Sequence, residues 1–230
     1  MPVPSKLLTL PGLYAVTPDG LPDAQLLDRV GQSLAAGVRL LQYRAKPAGA
    51  PSTRLHTATA HRIAGACRAA GALLIVNDDP VLAAEVGADG VHLGRDDGTV
   101  ADARARVGNA LVGVSCYDSL DLAVQAEAEG ADYVAFGAMF PSRVKPAAVR
   151  ATHELLGRAR ARLRIPIVAI GGIDLVNAAG VLRAGAQSLA VISAIYAAAD
   201  IGAAVRGFNE LIDNERRMRP AAASSGTPHP

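Results

Sequence analysis

Cationic and amide side chains alternate in one short segment, where Gln42, Arg44 and Lys46 follow an apolar run. Alternate residues of a strand point to the same side, so these three side chains would meet at one place. Two cations are costly to bury unless an anion meets them. The planar guanidinium of arginine and the compact ammonium of lysine both suit phosphate oxygens. The segment therefore indicates an anion site or a solvated strand end, and alone it does not decide between them.

Acidic side chains follow the next two apolar runs. Asp79 with Pro80 is typical of a helix start, since Asp is a favoured N-cap and Pro suits the first turn. That explanation leaves Asn77 and Asp78 without a role. Asp97 follows the neighbouring run, and carboxylates from adjacent strand ends can converge on one hard cation. Mg²⁺ typically takes one or two carboxylates together with substrate phosphates, so the pattern predicts a magnesium site.

Glycines and a lysine mark the later part of the chain. Gly172 follows one apolar run, and Ile192 and Ser193 follow the last. Barrel enzymes often bind phosphate with backbone N–H groups at these two places, and glycine permits the close approach. Ordinary turn chemistry is the alternative. Lys145 lies in a long stretch, residues 137–146, and is either a mobile cation that closes over a ligand or a solvated lysine.

The elements that must position these residues are short apolar runs separated by Ala-rich segments with helical spacing. The runs are Leu13–Val16, Leu40–Tyr43, Leu73–Val76, Gly90–Leu93, Leu111–Val114, Tyr133–Phe136, Ile167–Ile170 and Ser188–Ile192. They are apolar on both faces, which is typical of parallel strands covered by helices. Between them, stripes such as Leu26, Val30 and Leu34 predict helices, with Gly37 as a C-cap.

Repeated strand–helix units are compatible with a closed barrel or an open doubly wound sheet. Eight runs, and the lack of a GxGxxG fingerprint after the first, favour a single (β/α)8 TIM barrel over residues 1–214. The size of the chain suits one such barrel. Residues 215–230, rich in Ala, Ser and Pro, are expected to form a disordered tail.

Composition excludes several classes of function. A net charge of +2 with 3% aromatic residues does not predict a nucleic-acid surface. No apolar run is long enough to cross a membrane. Cys67 and Cys116 alone do not form a disulfide framework, which predicts a reducing, cytoplasmic location. Whether the chain forms a homo-oligomer stays open. His92 is interpreted as a barrel-lining histidine with a satisfied hydrogen bond, and no histidine near Cys116 in sequence supports a cysteine nucleophile.

The ordered set of motifs resembles the thiamine phosphate synthase family, over about Leu13 to Ala199. The motifs are Gln42-x-Arg44-x-Lys46, Asn77-Asp78-Asp79, Val91-His92-Leu93-Gly94-x-x-Asp97, Gly113-Val114-Ser115, the stretch from Gly137 to Lys145, Ile170-Gly171-Gly172-Ile173 and Val191-Ile192-Ser193-Ala194-Ile195. Each motif alone is modest, and their order makes the resemblance specific.

The resemblance implies an enzyme that joins hydroxymethylpyrimidine diphosphate to a thiazole phosphate, forming thiamine phosphate and diphosphate. It implies that Mg²⁺ is held by Asp78 and Asp97. The diphosphate substrate would meet Gln42, Arg44, Lys46, Asn77, Ser115 and Lys145, of which Arg44, Lys46, Ser115 and Lys145 would be catalytic. The thiazole phosphate would meet Gly172, Ile192 and Ser193 through backbone N–H groups, and Ser142 would line the thiazole side.

Two positions depart from the family pattern. Val144 stands where the family loop usually has a hydroxyl, which puts one thiazole-side contact in doubt, and Tyr117 replaces a common histidine. Two alternatives remain open. A thiazole tautomerase relative would tend to lack the cationic strand end and the acidic pair, both of which are kept here. A non-catalytic sensor of thiazole phosphate would have little need of a metal site.

Overall fold

Eight short strands form the centre of the molecule. They are β1 (Leu13–Val16), β2 (Leu40–Tyr43), β3 (Leu73–Asn77), β4 (Gly90–Leu93), β5 (Leu111–Tyr117), β6 (Tyr133–Phe136), β7 (Ile167–Ile170) and β8 (Ser188–Val191). The computed structural model describes residue 10 and residues 12–45, 53–141 and 150–218. Each strand pairs in parallel with the next, and β1 also pairs with β8, so the sheet closes into a barrel. The predicted (β/α)8 TIM barrel is confirmed.

Helices follow the strands and cover the outside of the barrel. They are α1 (Asp23–Ala35), α2 (Thr53–Ala70), α3 (Pro80–Val86), α4 (Val100–Val107), α5 (Leu120–Ala128), α6 (His153–Arg162), α7 (Ala178–Ala184), α8 (Ser193–Tyr196) and α9 (Ile201–Met218). The last connection contains a short helix, α8, before the long α9. Among the described residues, none of these helices combines the length and apolar character that a membrane span requires.

The predicted runs coincide with the observed strands except at three of their C-terminal ends. β3 includes Asn77, and β8 ends at Val191 rather than Ile192. β5 is the largest difference, because it extends to Tyr117 instead of ending at Val114. Its pairing with β6 continues through a register shift between Ser115 and Tyr117. An irregularity of this kind depends on the neighbouring strand, so a run of apolar letters does not reveal it.

Two separate cores lie on the two faces of the sheet. Between the sheet and the helices lies an outer core that includes Leu41, Val91, Val112, Leu156 and Phe208. Inside the barrel lies a smaller inner core, made by alternate strand residues together with Leu10, which precedes β1. It contains Leu10, Tyr14, Val16, Leu40, Ile75, Leu111, Tyr133, Ala135, Val168 and Ala190. Successive residues of a strand therefore belong to different cores.

Helix α9 runs past residue 214, where the barrel domain was predicted to end. Its buried residues Ile201, Val205, Phe208 and Ile212 form one stripe, and Glu215 continues it. Glu215 is 7% exposed and accepts from the guanidinium of Arg183 on α7 at 2.8 Å. The boundary predicted after residue 214 falls inside this helix, because packing and that ion pair hold one more turn against the barrel. Residues 219–230, the rest of the predicted tail, lie outside the described residues.

Candidate active site

Strand direction brings the predicted site residues to one rim. Because all eight strands are parallel, the residues directly after each strand lie at the C-terminal mouth. Barrels of this kind carry their chemistry there. The described residues at this rim are Gln42, Arg44, Asn77, Asp78, Asp97, Ser115, Gly172, Ile192 and Ser193. The remaining predicted site residues, Lys46, Ser142 and Lys145, lie outside the described residues, as does Val144.

Arg44 is held at the mouth between β1 and β2. Its guanidinium forms an ion pair with Asp19, in the stretch between β1 and α1. Its backbone N–H donates to the hydroxyl of Thr17 at 2.8 Å, and that hydroxyl donates to the Arg44 carbonyl at 3.1 Å. The Arg44 side chain is 14% exposed, so the cation is partly desolvated at the rim. Sequence reasoning missed Asp19, because nothing in its local pattern connects it to a residue 25 positions later.

The residues after β3 separate into two roles. Asp79 caps α3, where its carboxylate accepts from the N–H groups of Val81 and Leu82 at 3.0 and 2.9 Å, and Pro80 opens the helix. This agrees with the interpretation of Asp79 as an N-cap. Asp78 has a φ of 64°, a conformation that Asp tolerates better than most residues. Its N–H donates to the carbonyl of His92 on β4 at 2.8 Å, which fixes the turn against the neighbouring strand.

Asp97 is oriented by the stretch that follows β4. Its Oδ2 accepts from the N–H of Gly94 at 2.8 Å, and a Cβ at position 94 would lie 2.7 Å from that oxygen. The N–H of Arg95 donates to the hydroxyl of Tyr117 at 3.1 Å, and the Arg95 guanidinium lies over the Tyr117 ring at 4.7 Å. Tyr117, the departure from the family pattern, therefore helps to pin the stretch that carries Asp97.

Two carboxylates at adjacent strand ends form a donor set that suits magnesium. Asp78 follows β3 and Asp97 follows β4, and these strands pair directly. Within the described residues, no group of three or more His, Cys, Asp or Glu side chains comes together as a metal site. Mg²⁺ needs only one or two carboxylates from the protein, because phosphates and waters can supply its other ligands.

A continuous line of hydrogen bonds crosses the barrel interior just below the mouth. The Gln42 amide nitrogen donates to the Tyr14 hydroxyl at 2.7 Å, and the Tyr14 and Tyr133 hydroxyls are 3.0 Å apart. His92 Nδ1 lies 3.1 Å from the Tyr133 hydroxyl, and His92 Nε2 lies 2.9 Å from the Ser115 Oγ. We call these five side chains the interior bridge. They come from five different strands, so the bridge ties together much of the barrel wall.

Burial sets the protonation of the interior bridge. Desolvation lowers the pKa of His92 to about 4, and the nearby charge of Asp97 opposes that shift. The imidazole is therefore neutral near pH 7. Burial also raises the pKa of Tyr14 and of Tyr133 well above the usual value, so both hydroxyls keep their protons. His92 is 7% exposed and has two hydrogen-bond partners, which agrees with its interpretation as a satisfied barrel-lining residue.

Sequence reasoning missed Tyr14 and Tyr133. A signal was present, since each lies at an inward-facing strand position, as do Gln42 and His92. In the sequence both look like ordinary members of apolar strands, because the spacing of the neighbouring residues does not reveal what a tyrosine hydroxyl contacts. The partnership needs the closed barrel, since the two residues are 119 positions apart.

The opposite side of the mouth is formed by a glycine turn after β7 and by the start of α8 after β8. Gly172 has a φ of 66°, and a Cβ there would lie 2.8 Å from both Phe140 Cβ and the Pro141 carbonyl oxygen, so only glycine fits. The Asn177 side chain donates to the Gly172 carbonyl at 3.0 Å and holds the turn. Ser193 opens α8 directly after β8, and its N-cap residue, Ile192, has no hydrogen-bonding side chain.

Cys116 faces away from the mouth and into the outer core. It is fully buried, and burial raises the pKa of its thiol to about 12. A thiolate is the reactive form of cysteine, so Cys116 is unsuited to act as a nucleophile. This agrees with the expectation from sequence, which found no support for covalent catalysis.

Fold and site together define a (β/α)8 barrel whose mouth combines a guanidinium, two carboxylates and a glycine-dependent backbone turn. Comparison with known proteins gives the family. The family model described as "Thiamine monophosphate synthase" matches residues 13–195. A thiamine-phosphate synthase of Methylococcus capsulatus is 52% identical over 221 residues, covering 96% of this chain and 95% of the relative. One from an Azoarcus species is 57% identical over 190 residues, covering 82% and 91%.

A solved structure agrees with the sequence relatives. The thiamine phosphate pyrophosphorylase of Pyrococcus furiosus superposes with a TM-score of 0.78 at 31% identity, covering 89% of this chain and 96% of its own. The chain belongs to the thiamine monophosphate synthase family.

Proposed function

We propose that this chain is a Mg²⁺-dependent thiamine phosphate synthase, a transferase that joins hydroxymethylpyrimidine diphosphate to hydroxyethylthiazole phosphate. One observation carries the proposal. Arg44, Asp78, Asp97 and Ser115 belong to consecutive strand ends, β2 to β5, at the rim of one parallel barrel. Relatives about half identical over most of the chain are named thiamine-phosphate synthase, which supports the same activity.

The diphosphate group would lie on the β2–β5 side of the mouth. Arg44 is already oriented by Asp19, so its planar fork can meet phosphate oxygens without a large loss of side-chain freedom. Lys46 and Lys145 would add compact charges, and Asn77 and Ser115 would add hydrogen bonds. Asp78 and Asp97 would hold Mg²⁺, which supplies charge neutralisation to the departing diphosphate.

The bond that breaks joins the pyrimidine CH2 carbon to a diphosphate oxygen, and its electron pair leaves with the diphosphate. The electron-rich aminopyrimidine can carry the positive charge left on that carbon. Donors and cations aimed at the leaving oxygens, rather than at the substrate carbon, would lower the barrier most. Gln42, at one end of the interior bridge, would hold the pyrimidine ring in place while the bond lengthens.

The new bond forms from the thiazole nitrogen, whose lone pair attacks the same carbon. This nitrogen carries no proton to remove, so no protein base is required. The described mouth is consistent with such a step, since burial lowers the pKa of His92 to about 4, too low for an effective base near neutral pH, and Cys116 belongs to the outer core. Holding two substrates in line supplies much of the remaining rate enhancement.

The thiazole phosphate would lie on the β7–β8 side. The Gly172 turn permits close approach of the backbone, and the first N–H groups of α8, from Ser193 onward, point out of a helix start. Ile192 and Ser193 would bind through backbone N–H groups, and Ser142 would line the ring. Two free, buried cysteines support a cytoplasmic location for this chemistry.

The test is to incubate the full-length protein with both substrates, with Mg²⁺ and with excess chelator, and to follow thiamine phosphate by chromatography. Thiamine phosphate that forms only with the metal is the expected result. Isomerisation of the thiazole without coupling would replace the proposal by a tautomerase. Saturable binding of thiazole phosphate without turnover would replace it by a sensor.

A further inference from the structure

The interior bridge has two ends at the mouth and a middle to which the proposed reaction gives no role. Gln42 and Ser115 are the ends, and both are assigned to the diphosphate substrate above. Tyr14, Tyr133 and His92 form the middle, and each is more than nine-tenths buried. An inner core of aliphatic side chains would fill the same space without the cost of burying polar atoms, so the middle residues need an explanation beyond packing.

The packing around the middle of the bridge leaves space for the Tyr133 ring and fixes the orientation of His92. A Cβ at Gly113 would lie 2.0 Å from Tyr133 Cζ, so the tyrosine ring lies directly over a glycine of β5. Gly113 lies two residues before Ser115 on the same strand. The His92 ring stacks on the Tyr133 ring, with centroids 5.5 Å apart and planes 24° apart. The imidazole therefore has one orientation, set by its neighbour and by two hydrogen bonds.

Counting the protons of the interior bridge gives the donor and the acceptor in each of its hydrogen bonds, which we call the direction of the bridge. The Gln42 amide nitrogen donates to Tyr14, whose own proton then goes to Tyr133, its other partner among the described residues. Tyr133 in turn donates to His92 Nδ1. The imidazole proton must then be on Nε2, from which it is donated to Ser115 Oγ.

The direction decides what the two ends offer to a ligand. Because Ser115 accepts from His92, its own hydroxyl proton is turned away from the barrel interior. Because the Gln42 nitrogen faces Tyr14, its carbonyl oxygen is the atom left to accept from a ligand. With the opposite direction, Ser115 would donate to His92 and the Gln42 amide would be reversed. Gln42 would then present its N–H groups to a ligand, and Ser115 would present an acceptor oxygen instead of a hydroxyl proton.

We infer that Tyr14, Tyr133 and His92 are positioning residues for the coupling reaction. They orient the Ser115 hydroxyl as a donor to the leaving diphosphate and the Gln42 carbonyl as an acceptor for the pyrimidine amino group. The inference rests on the proposed function for the identity of the ligand. The order of protons within the bridge does not depend on that identity.

The first measurement is the tautomer of His92 in the full-length protein. Long-range ¹H–¹⁵N NMR separates a protonated from an unprotonated imidazole nitrogen, and a His92→Gln variant identifies the signals of His92. The expected result is a proton on Nε2 and none on Nδ1. A proton on Nδ1 would overturn the inferred direction. If the wild-type protein makes no thiamine phosphate, the proposed function fails, and this measurement still decides the proton order.

The second measurement compares two variants of His92. The side-chain amide of His92→Gln can place an N–H near the position of Nε2, whereas the shorter amide of His92→Asn cannot reach Ser115. We expect His92→Asn to lower kcat about tenfold, the rate equivalent of one hydrogen bond, and His92→Gln to recover most of the loss. The KM for thiazole phosphate should stay unchanged, since that substrate binds across the mouth.

The decisive comparison repeats both variants in the Ser115→Ala background. If His92 acts through the Ser115 hydroxyl, Asn and Gln at position 92 become equally active once that hydroxyl is absent. A tenfold difference that persists there would mean a structural effect only and would reject the inference. Tyr133→Phe should also lower kcat, whereas Tyr196→Phe is the matched control. Its buried hydroxyl contacts Ser33 on α1 at 3.2 Å, away from the bridge, and its kcat should match wild type.

Discussion

The outer and inner cores are made by the same strands and differ in what they contain. The outer core is mainly aliphatic, its strand residues pack against helices, and the hydroxyl of its Tyr196 contacts Ser33 on α1 rather than other strands. The inner core is smaller and contains two tyrosines, with polar contacts to Gln42, His92 and Ser115. Adjacent residues show the division. On β5, Cys116 belongs to the outer core, whereas Ser115 joins the bridge.

Whether a strand residue points outward or inward therefore indicates whether it contributes mainly to stability or to chemistry. Outward residues contribute apolar burial, for which only volume and shape matter. Inward residues near the C-terminal ends contribute oriented polar groups, for which one atom out of place alters the hydrogen bonds of several others. Changes to the outer core should therefore alter unfolding more than catalysis, and changes at the mouth should do the reverse.

The largest effect that would sharpen this contrast is expected at Asp78. Asp78→Asn should lower kcat/KM for coupling roughly a thousandfold, since loss of a metal ligand removes several kcal/mol of charge stabilisation. Asn tolerates the positive φ of this position, so the turn should persist. Thiazole phosphate should still bind, as measured by calorimetry. Asp79→Asn is the matched control, because it removes the adjacent charge but can still cap α3. Equal turnover in wild type and Asp78→Asn would reject the metal assignment.

A complementary effect on stability is expected in the outer core. Leu156 is fully buried on α6, so Leu156→Ala should lower the free energy of unfolding by about 3 kcal/mol through lost burial and a residual cavity. Urea unfolding measures this change. At 25 °C the remaining folded protein should keep the wild-type kcat. A large fall in kcat with no change in the urea midpoint would break the separation between the two cores.

A smaller effect comes from pH and tests burial in the inner core. Because the pKa of His92 in the folded protein is about 4, the unfolded chain binds this proton first as pH falls. The contribution of His92 to stability is thus complete above about pH 6.5 and declines toward pH 4. Between pH 6.5 and 5 the wild type should lose roughly 2 kcal/mol relative to His92→Gln. Parallel urea curves for the two proteins across this range would show that His92 is not desolvated.

The smallest effect is expected at the N-cap of α3. Asp79→Ala removes the acceptor for two N–H groups and should cost about 1 kcal/mol of stability. Coupling activity should stay within twofold of wild type, because the carboxylate faces the helix and not the ligand. Thermal unfolding and the coupling assay together check this. A strong loss of activity would mean that Asp79, and not only Asp78, belongs to the site.

Local patterns predicted much of the fold and the rim of the barrel on which the candidate site residues lie. All eight strands and the parallel barrel were predicted, because strands buried on both faces leave continuous apolar runs. The role of Asp79 was predicted because an N-cap is a contact over three residues. The extension of β5 to Tyr117 and the last turn of α9 were missed. Both depend on a neighbour distant in sequence, β6 in one case and Arg183 in the other.

The candidate site shows the same limit, because contacts between residues distant in sequence were missed there too. Residues whose chemistry is evident from their type, such as Arg44 and Asp97, were predicted for the site from their position after a strand, and the barrel places both at its C-terminal rim. Asp19 was missed because it only orients Arg44. The interior bridge was missed as a unit, although Gln42, His92 and Ser115 were each singled out. Neither the stacking of His92 on Tyr133 nor the space left by Gly113 can be deduced from spacing.

The sequence by itself determined where the strands run and which polar residues follow them, since strands buried on both faces leave continuous apolar runs. Only the tertiary structure decided which inward residues meet. Closure of β1 onto β8 and the register of each pair bring the hydroxyl of Tyr14 to that of Tyr133, and His92 to Ser115. Hydrogen bonds act over about 3 Å, so their partners are set by register and closure rather than by distance along the chain.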